Sequence, residues 1–504
     1  MRKKLLIFLA ILIGIYVVGT YIYLSLEPAF KDYCPIYLPH KKPISLEDPA
    51  FPSHHFKLIN DASCLNETRI YDIITVKTTD DILQALKTAQ EKKLFIAIAG
   101  VRHSMGGQAF FQDALVVDMR SFNKIIALDE KNRILTIQSG ATWHDIQLYL
   151  HEKNLAVKAM QSTDIFTVGG SLSVNAHGMD HTVGSMGSTI RSFTIMLSDG
   201  SLQKVTPQEA ELFNAVIGGY GLFGIVIEIE LEVTHNDVYK RDATFLDYRE
   251  FPAFFEREKD SYNLLYAHLS TSPLSFFKNV VIYGYKKVES DAPIEPLRKI
   301  SLIKARRFLI NLSKRRMYAQ IFKWIAEKYI DPLLEKFHQG TLISRNAIMH
   351  DSVEYLENVL INETDILHEY FIPRKHFIPC IERMGAILQK SNIPVLNASI
   401  RVINKEDNLL NYAPEDMFAI VLYLNQRVNE KALHAMELLT RELIDLVLTF
   451  DGTFFLPYQL YFTDEQLHKA YPMIDLFFAT KRKYDPSLLF MNNFYAKYAQ
   501  QMTE

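Results

Sequence analysis

The sequence predicts an α+β protein, with short helices interrupting a strand-rich run rather than alternating regularly through a doubly wound parallel sheet. Three observations carry that reading. Short apolar runs and amphipathic stretches follow one another in quick succession from about residue 70 to 235. Three glycine-rich segments punctuate that region, and beyond Thr234 the texture changes to longer helices and strands up to about residue 480. The chain has 504 residues, 48% of them hydrophobic and 22% charged, with a formal net charge of -3. That composition is globular and long enough for two or three domains. The near-neutral charge offers no electrostatic footprint for nucleic acid.

At the N-terminus MRKK precedes LLIFLAILIGIYVVGTYIYLSL, so Leu5 to Leu26 carry no charge. As a helix that run spans about 33 Å, enough to cross a bilayer. A cleaved signal peptide is the alternative, although the run exceeds a typical h-region and no A-x-A-like site follows it. Arg2, Lys3 and Lys4 before the run, and Glu27, Lys31 and Asp32 after it, place the N-terminus in the cytoplasm and the body across the membrane. The division read from the sequence is an anchor at 1–30, a Pro-rich linker at 31–65, a first domain at 66–235, a second at 236–480 and a tail at 481–504. His54 and His55 read as a solvated pair in the linker. Of the three cysteines, Cys34 and Cys64 can pair in an oxidising compartment, and no His/Cys set has the spacing of a metal site.

Within the first domain DIITV (72–76), LFIAIA (94–99) and ALVVDM (114–119) read as strands, with a helix from Asp80 to about Lys92 capped by Thr79. KIIALD (124–129) and RILTIQ (133–138) form a hairpin across EKN, and TWHDIQLYLHEKN (142–154) has helical spacing. Farther on, residues 297–318 hold eight Lys/Arg and no acid, the composition of a basic amphipathic helix that lies either on the protein surface or on an anionic membrane.

The first glycine segment, AGVRHSMGGQAF (99–110), follows a strand; the second is TVGGSLSVNAHGMDHTVGSMGSTI (167–190), the third VIGGYGLFGIVIEIELEV (216–233). Gly219 to Gly224 match G-x-G-x-x-G, but a helix precedes that loop and a strand follows it, the reverse of a Rossmann site, so the match is rejected. Each loop alone is equally well a tight turn. Together they suit a long ligand such as a dinucleotide, its pyrophosphate on the first loop with Arg102 as a charge-assisted partner.

AGVRHSMGGQA, DIFTVGGSLSVNAHG, IRSFTIMLSDGS, ELFNAVIGGYGLFGIV and the tail KYDPSLLFMNNF resemble, in order and spacing, the PCMH-type FAD-binding flavoproteins of the vanillyl-alcohol oxidase superfamily. Within it the likeness is to the branch of sugar-1,4-lactone oxidases, alditol oxidases and decaprenylphosphoryl-ribose oxidases. The resemblance implies a two-subdomain α+β FAD domain and a cap domain with an antiparallel sheet and flanking helices. It implies FAD held by Gly100, Val101, Arg102, His103, Ser104, Met105, Gly106 and Gly107, by Ser162, Thr167, Gly169, Gly170, Ser173, Asn175, His177 and Gly178, by Gly224 and Val226, and by Asn493. His103 stands where several members attach the flavin covalently; no cysteine lies in 160–190 for a second attachment.

The resemblance further implies oxidation of a CH–OH group of a sugar, sugar lactone or lipid-linked relative by hydride transfer to flavin N5, with oxygen or a quinone as acceptor. His181 matches a substrate-facing histidine, and Arg401 in NASIRVIN an arginine that polarises the substrate oxygen. Ser399 replaces the family's glutamate there, and Tyr458 and Gln459 stand where relatives carry a lysine. Tyr458 accepts a proton only if a cation such as Arg401 lowers its pKa. A flavin-scaffold protein that binds without turnover is the reading from another class. Flavin availability and the absence of a twin-arginine signal favour a cytosol-facing body, against the positive-inside count, so the side of the membrane stays open.

Overall fold

A computed structural model describes residues 55–290, 294–297, 303–314, 323–351 and 362–499, with the strand at 44–47 and a few isolated positions. Strands β1 (Ile44–Glu47), β2 (His55–Ile59) and β3 (Thr68–Ile70) make a small antiparallel sheet. The linker expected over 31–65 therefore ends earlier: His55 lies in a strand, and Asn60, Asp61 and Ser63 are buried. Cys64 is disulfide-bonded, as pairing with Cys34 would require; Cys34 lies outside the described residues, and Cys380 is free and buried. Leu5 to Leu26 also lies outside them; among the described residues no helix is long and apolar enough to cross a membrane.

Strands β4 (Asp72–Thr75), β5 (Ile96–Ala99) and β6 (Leu115–Asp118) form a parallel sheet in the order β4-β6-β5, covered by helix α1 (Thr79–Lys92). The helix forms because Ile82, Ala85, Leu86 and Ala89 fall on one buried face, and because Thr78 and Asp81 close a capping box. The cap is thus one residue earlier than the sequence suggests.

The second subdomain runs β7 (Ile125–Asp129), β8 (Ile134–Gln138), α2 (Trp143–His151), β9 (Leu155–Val157), α3 (Val168–Val174), β10 (Ile190–Met196), β11 (Leu202–Val205), α4 (Ala210–Val216) and β12 (Ile225–His235). Its strands are antiparallel in the order β11-β10-β12-β8-β7, with β9 also on β12. In β12 Ile229, Leu231 and Val233 are buried while Glu228, Glu230 and Glu232 are part-exposed, the period of a half-buried strand.

The cap is one antiparallel eight-stranded sheet of β13 (Val238–Asp247), β14 (Leu264–Leu269), β15 (Asn279–Val288), β16 (Leu342–Ser344), β17 (Glu363–Pro373), β18 (Val395–Ile403), β19 (Met417–Arg427) and β20 (Thr453–Phe454). Its order is β16-β13-β15-β14-β18-β19-β17-β20. Between and beside these strands lie α5 (Ile303–Ser313), α6 (Asp331–His338), α7 (Arg345–Met349), α8 (Phe377–Ser391) and α9 (Glu430–Leu448). Within the basic stretch Ile303–Ser313 form α5, and Lys314 directly after it is fully buried in an ion pair with Asp365, so the described part is not wholly a surface helix.

Successive residues of a strand point to opposite faces. In β17, His368 meets Thr440 of α9, whereas Glu369 turns to the opposite side, toward the FAD domain. The tail packs on β5: Ile96 donates to the Leu489 carbonyl at 2.7 Å and accepts from the Met491 amide at 2.8 Å.

Burial pushes the His368 imidazole down to about 3. It is neutral in the fold but titrates near 6.5 when unfolded, so its contribution is complete above about pH 6.5 and is lost as pH falls toward about 3. Denaturant unfolding should therefore show a loss of about 2 kcal/mol between pH 7 and pH 5 from this group, and His368→Gln should flatten that part of the profile.

Candidate functional site

A cavity of about 690 Å³ lies between the glycine loops and the cap sheet, within the range of ligand pockets. The first loop is fixed from both sides. The Arg102 carbonyl accepts from Ala62, the Met105 amide donates to the Pro457 carbonyl, and Arg102 itself takes φ 57. At Gly100 a Cβ would stand 2.3 Å from Thr167 Oγ1, so the first and second loops meet backbone to side chain. Thr167 caps α3 through Gly170 at 3.3 Å and lines the cavity beside Gly169 and Gly170. Gly224 has φ +150, and a Cβ there would meet the Met196 carbonyl at 2.5 Å.

Gly100, Val101, Arg102, His103, Ser104 and Met105 border the cavity, as do Ser162, Thr167, Gly169, Gly170, Ser173 and His177. Gly224, Val226, Arg401 and Tyr458 join them. Seven of the expected residues stand elsewhere. The amides of Gly106 and Gly107 are spent on Gln108 Oε1 and Asp61 Oδ2, each at 3.0 Å, rather than offered to a phosphate. Asn175 bonds Gly187 and Glu406, and its carbonyl accepts from Tyr412, so it ties the second loop to the cap. Gly178 clears the Met160 carbonyl, which a Cβ would approach to 2.2 Å. His181 faces Lys259 and the edge of Phe255, Gln459 donates to Ser63, and Asn493 packs on Gly107.

Apart from Glu369 Oε1, which faces His177 Nε2, four cavity-lining side chains carry a buried polar atom with no hydrogen-bond partner in the protein, Ser139 Oγ, Thr163 Oγ1, His177 Nδ1 and Arg401 Nη1; further such atoms lie elsewhere, on His181, Arg241 and Gln426 among others. Such atoms are costly to bury unless a ligand or water meets them. They are the strongest internal sign that a polar group belongs there. The Arg401 guanidinium is held by Ser162 Oγ at 3.0 Å and lies 4.8 Å from the Tyr266 ring centre. Burial lowers its pKa from the ordinary arginine value. His268, bonded to Asn397 at 2.8 Å, is pushed down to about 4 by burial and by Arg401. His103 packs edge-on against Phe166 at 4.7 Å, and burial takes it to about 4, so its imidazole is neutral at neutral pH.

Glu369 is the residue that sequence reading missed. Its carboxylate lies 2.7 Å from His177 Nε2 and accepts from the Tyr458 hydroxyl at 3.3 Å, with both His177 and Glu369 nearly sealed from solvent. The Tyr458 pKa is accordingly raised, by burial and by Glu369, not lowered by Arg401. The expectation that Tyr458 acts as a base is corrected: it is a protonated donor to a carboxylate. A glutamate inside the apolar run DILHEYFI was the available signal.

Residues 72–206 match the model of the FAD binding domain family. Over 169 residues the chain is 27% identical to decaprenylphosphoryl-beta-D-ribose oxidase of Mycolicibacterium smegmatis, covering 33% of this chain and 37% of that protein. A putative D-arabinono-1,4-lactone oxidase of Neurospora crassa is 23% identical over 157 residues, 31% of this chain and 28% of that one. Both matches thus span well under half of the relative's length. Cytokinin dehydrogenase 3 of Arabidopsis thaliana is 22% identical over 381 residues, 70% of this chain and 71% of that protein. The two-subdomain fold, the glycine loops and these matches agree: residues 72–206 form an FAD-binding domain of the PCMH type, and the relatives support the vanillyl-alcohol oxidase superfamily.

Proposed function

We propose that this chain is an FAD-dependent oxidoreductase that oxidises a CH–OH group of a sugar, sugar lactone or lipid-linked sugar. The observation that carries the reading is a buried imidazole with one nitrogen on a carboxylate and the other unpartnered, beside an unpartnered guanidinium nitrogen in the same cavity. FAD, when bound, supplies the hydride acceptor. His177 Nδ1 takes the hydroxyl proton, Glu369 holds the ring and stabilises the imidazolium, and Tyr458 orients Glu369. Arg401 Nη1 binds the oxygen that gains carbonyl character. The sugar and lactone oxidases among the relatives are what supports the substrate class.

A bleaching screen of sugars and sugar lactones against the purified yellow protein tests this. His177→Gln and Glu369→Gln should each lower the rate of flavin reduction roughly 10²–10⁴-fold with FAD still bound. Reduction at the wild-type rate in both variants would remove the dyad from the chemistry.

The neutral His103, which lines the cavity, is the proposed point of covalent attachment. On acid precipitation the flavin absorbance should stay with the wild-type pellet and move to the supernatant for His103→Ala.

We also propose that the protein works at a membrane, anchored by Leu5–Leu26. Tyr329, Ile330, Leu333, Leu334 and Phe337 leave an apolar stripe exposed on α6 and the turn before it, Phe337 at 76%. Arg306, Ile310 and Ser313 of α5 meanwhile border the cavity. A lipid-linked substrate suits that arrangement. A chain lacking residues 1–30 should still sediment with anionic vesicles, and Leu333→Glu with Phe337→Glu should abolish that; full release of the truncated chain to the soluble fraction would leave the stripe without a membrane role.

A further inference from the structure

Outside the cavity, three metal-ligating side chains from three separate segments converge. His144 sits in the first turn of α2, Asp164 in the loop before α3, and His350 directly after α7. His144 Nδ1 lies 2.9 Å and His350 Nδ1 2.8 Å from the same oxygen, Asp164 Oδ2. All three donor atoms fall within 4.8 Å of one another. No spacing in the sequence announces them, because two come from the FAD domain and the third from the cap, far along the chain.

We propose that His144, Asp164 and His350 bind a divalent transition-metal ion, with Zn²⁺ as the probe. Two imidazoles and a carboxylate are the donor set such ions take, with open positions left for water. Bonds of about 2.05 Å place neighbouring donors about 2.9 Å apart at right angles and about 3.3 Å apart in a tetrahedron. The two nitrogen-to-oxygen edges already match the first and reach the second by moves of about 0.5 Å.

The site is also held from behind. The His144 amide donates to the Asp164 carbonyl at 2.8 Å, and the Asp164 amide to the Asp351 carbonyl at 3.1 Å. Each ligand's backbone is thereby tied to another ligand or its neighbour, the support a first coordination shell needs. His144 is half exposed while Asp164 is only 5% exposed, which gives an ion an entry path to an otherwise buried carboxylate. Thr163 and Asp351, the chain neighbours of Asp164 and His350, line the cavity. A bound ion would therefore cross-link the FAD domain to the cap on the cavity wall.

The test uses untagged, chelator-treated holoprotein titrated with Zn²⁺ by calorimetry, with uptake after gel filtration as a second measure. One ion per chain and a rise in Tm with added Zn²⁺ are expected for the wild type. Both should be lost in His144→Ala, whose exposed position leaves folding intact, and in His350→Gln. The proposal is overturned if the wild type takes up no stoichiometric Zn²⁺, or if His144→Ala binds it equally. It is also overturned if the variants lower Tm while Zn²⁺ shifts no Tm, since the three side chains are then a hydrogen-bonded clamp and nothing more.

Discussion

The first glycine loop depends on a carboxylate outside it. Asp61 is buried between β2 and β3, where Oδ1 accepts from the Ser63 amide and hydroxyl and Oδ2 from Asn66 and the Gly107 amide. Burial pushes it up to about 6 despite those donors. Around it the contacts fan out: Ser63 meets Gln459 and Thr364 of the cap, and Asn66 donates to the Met105 carbonyl. The segment Asp61–Asn66 thus sets the position of the loop that carries His103 relative to the cap sheet. The glycines are permissive; the carboxylate is what selects one conformation from those they permit.

The cap contributes through the two-residue period of its strands. Asn397, Ser399 and Arg401 of β18 border the cavity, while Ala398, Ile400 and Val402 are packed into the core. Tyr266 and His268 on β14, and Leu367 and Glu369 on β17, follow the same alternation. A shift of one residue would exchange Arg401 for an apolar neighbour and Glu369 for His368 or Tyr370, so the register of the sheet and the chemistry of the site are one constraint.

Much of the FAD domain was legible in the sequence because its signals are local. The helix at 79–92, though not its exact cap, the 124–138 hairpin, the helix-before-strand order around Gly219 and the glycine loops are each decided within a dozen or so residues. The site was legible only where such loops form it. Glu369 was hidden because its partner His177 is distant in the chain, and Tyr458 was misread because the neighbour that matters is a carboxylate from another strand. Gly107 and Asn175 were placed on the cofactor by the family resemblance, and their bonds in the structure go to Asp61, Gly187 and Glu406. Long-range pairing, not propensity, decided each of those cases.

The return of the tail has a consequence for how such a chain is made. Strand β5, which leads directly into the His103 loop, has its outer edge closed by Leu489–Met491, and Asp485 in turn receives the amides of Leu489 and Phe490. Domains generally fold as they leave the ribosome, N-terminal part first. Here the edge beside the flavin loop stays open until Leu489–Met491, far along the chain from β5, have been added. Completion of the cofactor site therefore waits for a distant segment, and a chain cut short before residue 489 would carry every glycine loop yet lack the strand partner that holds the first of them in place.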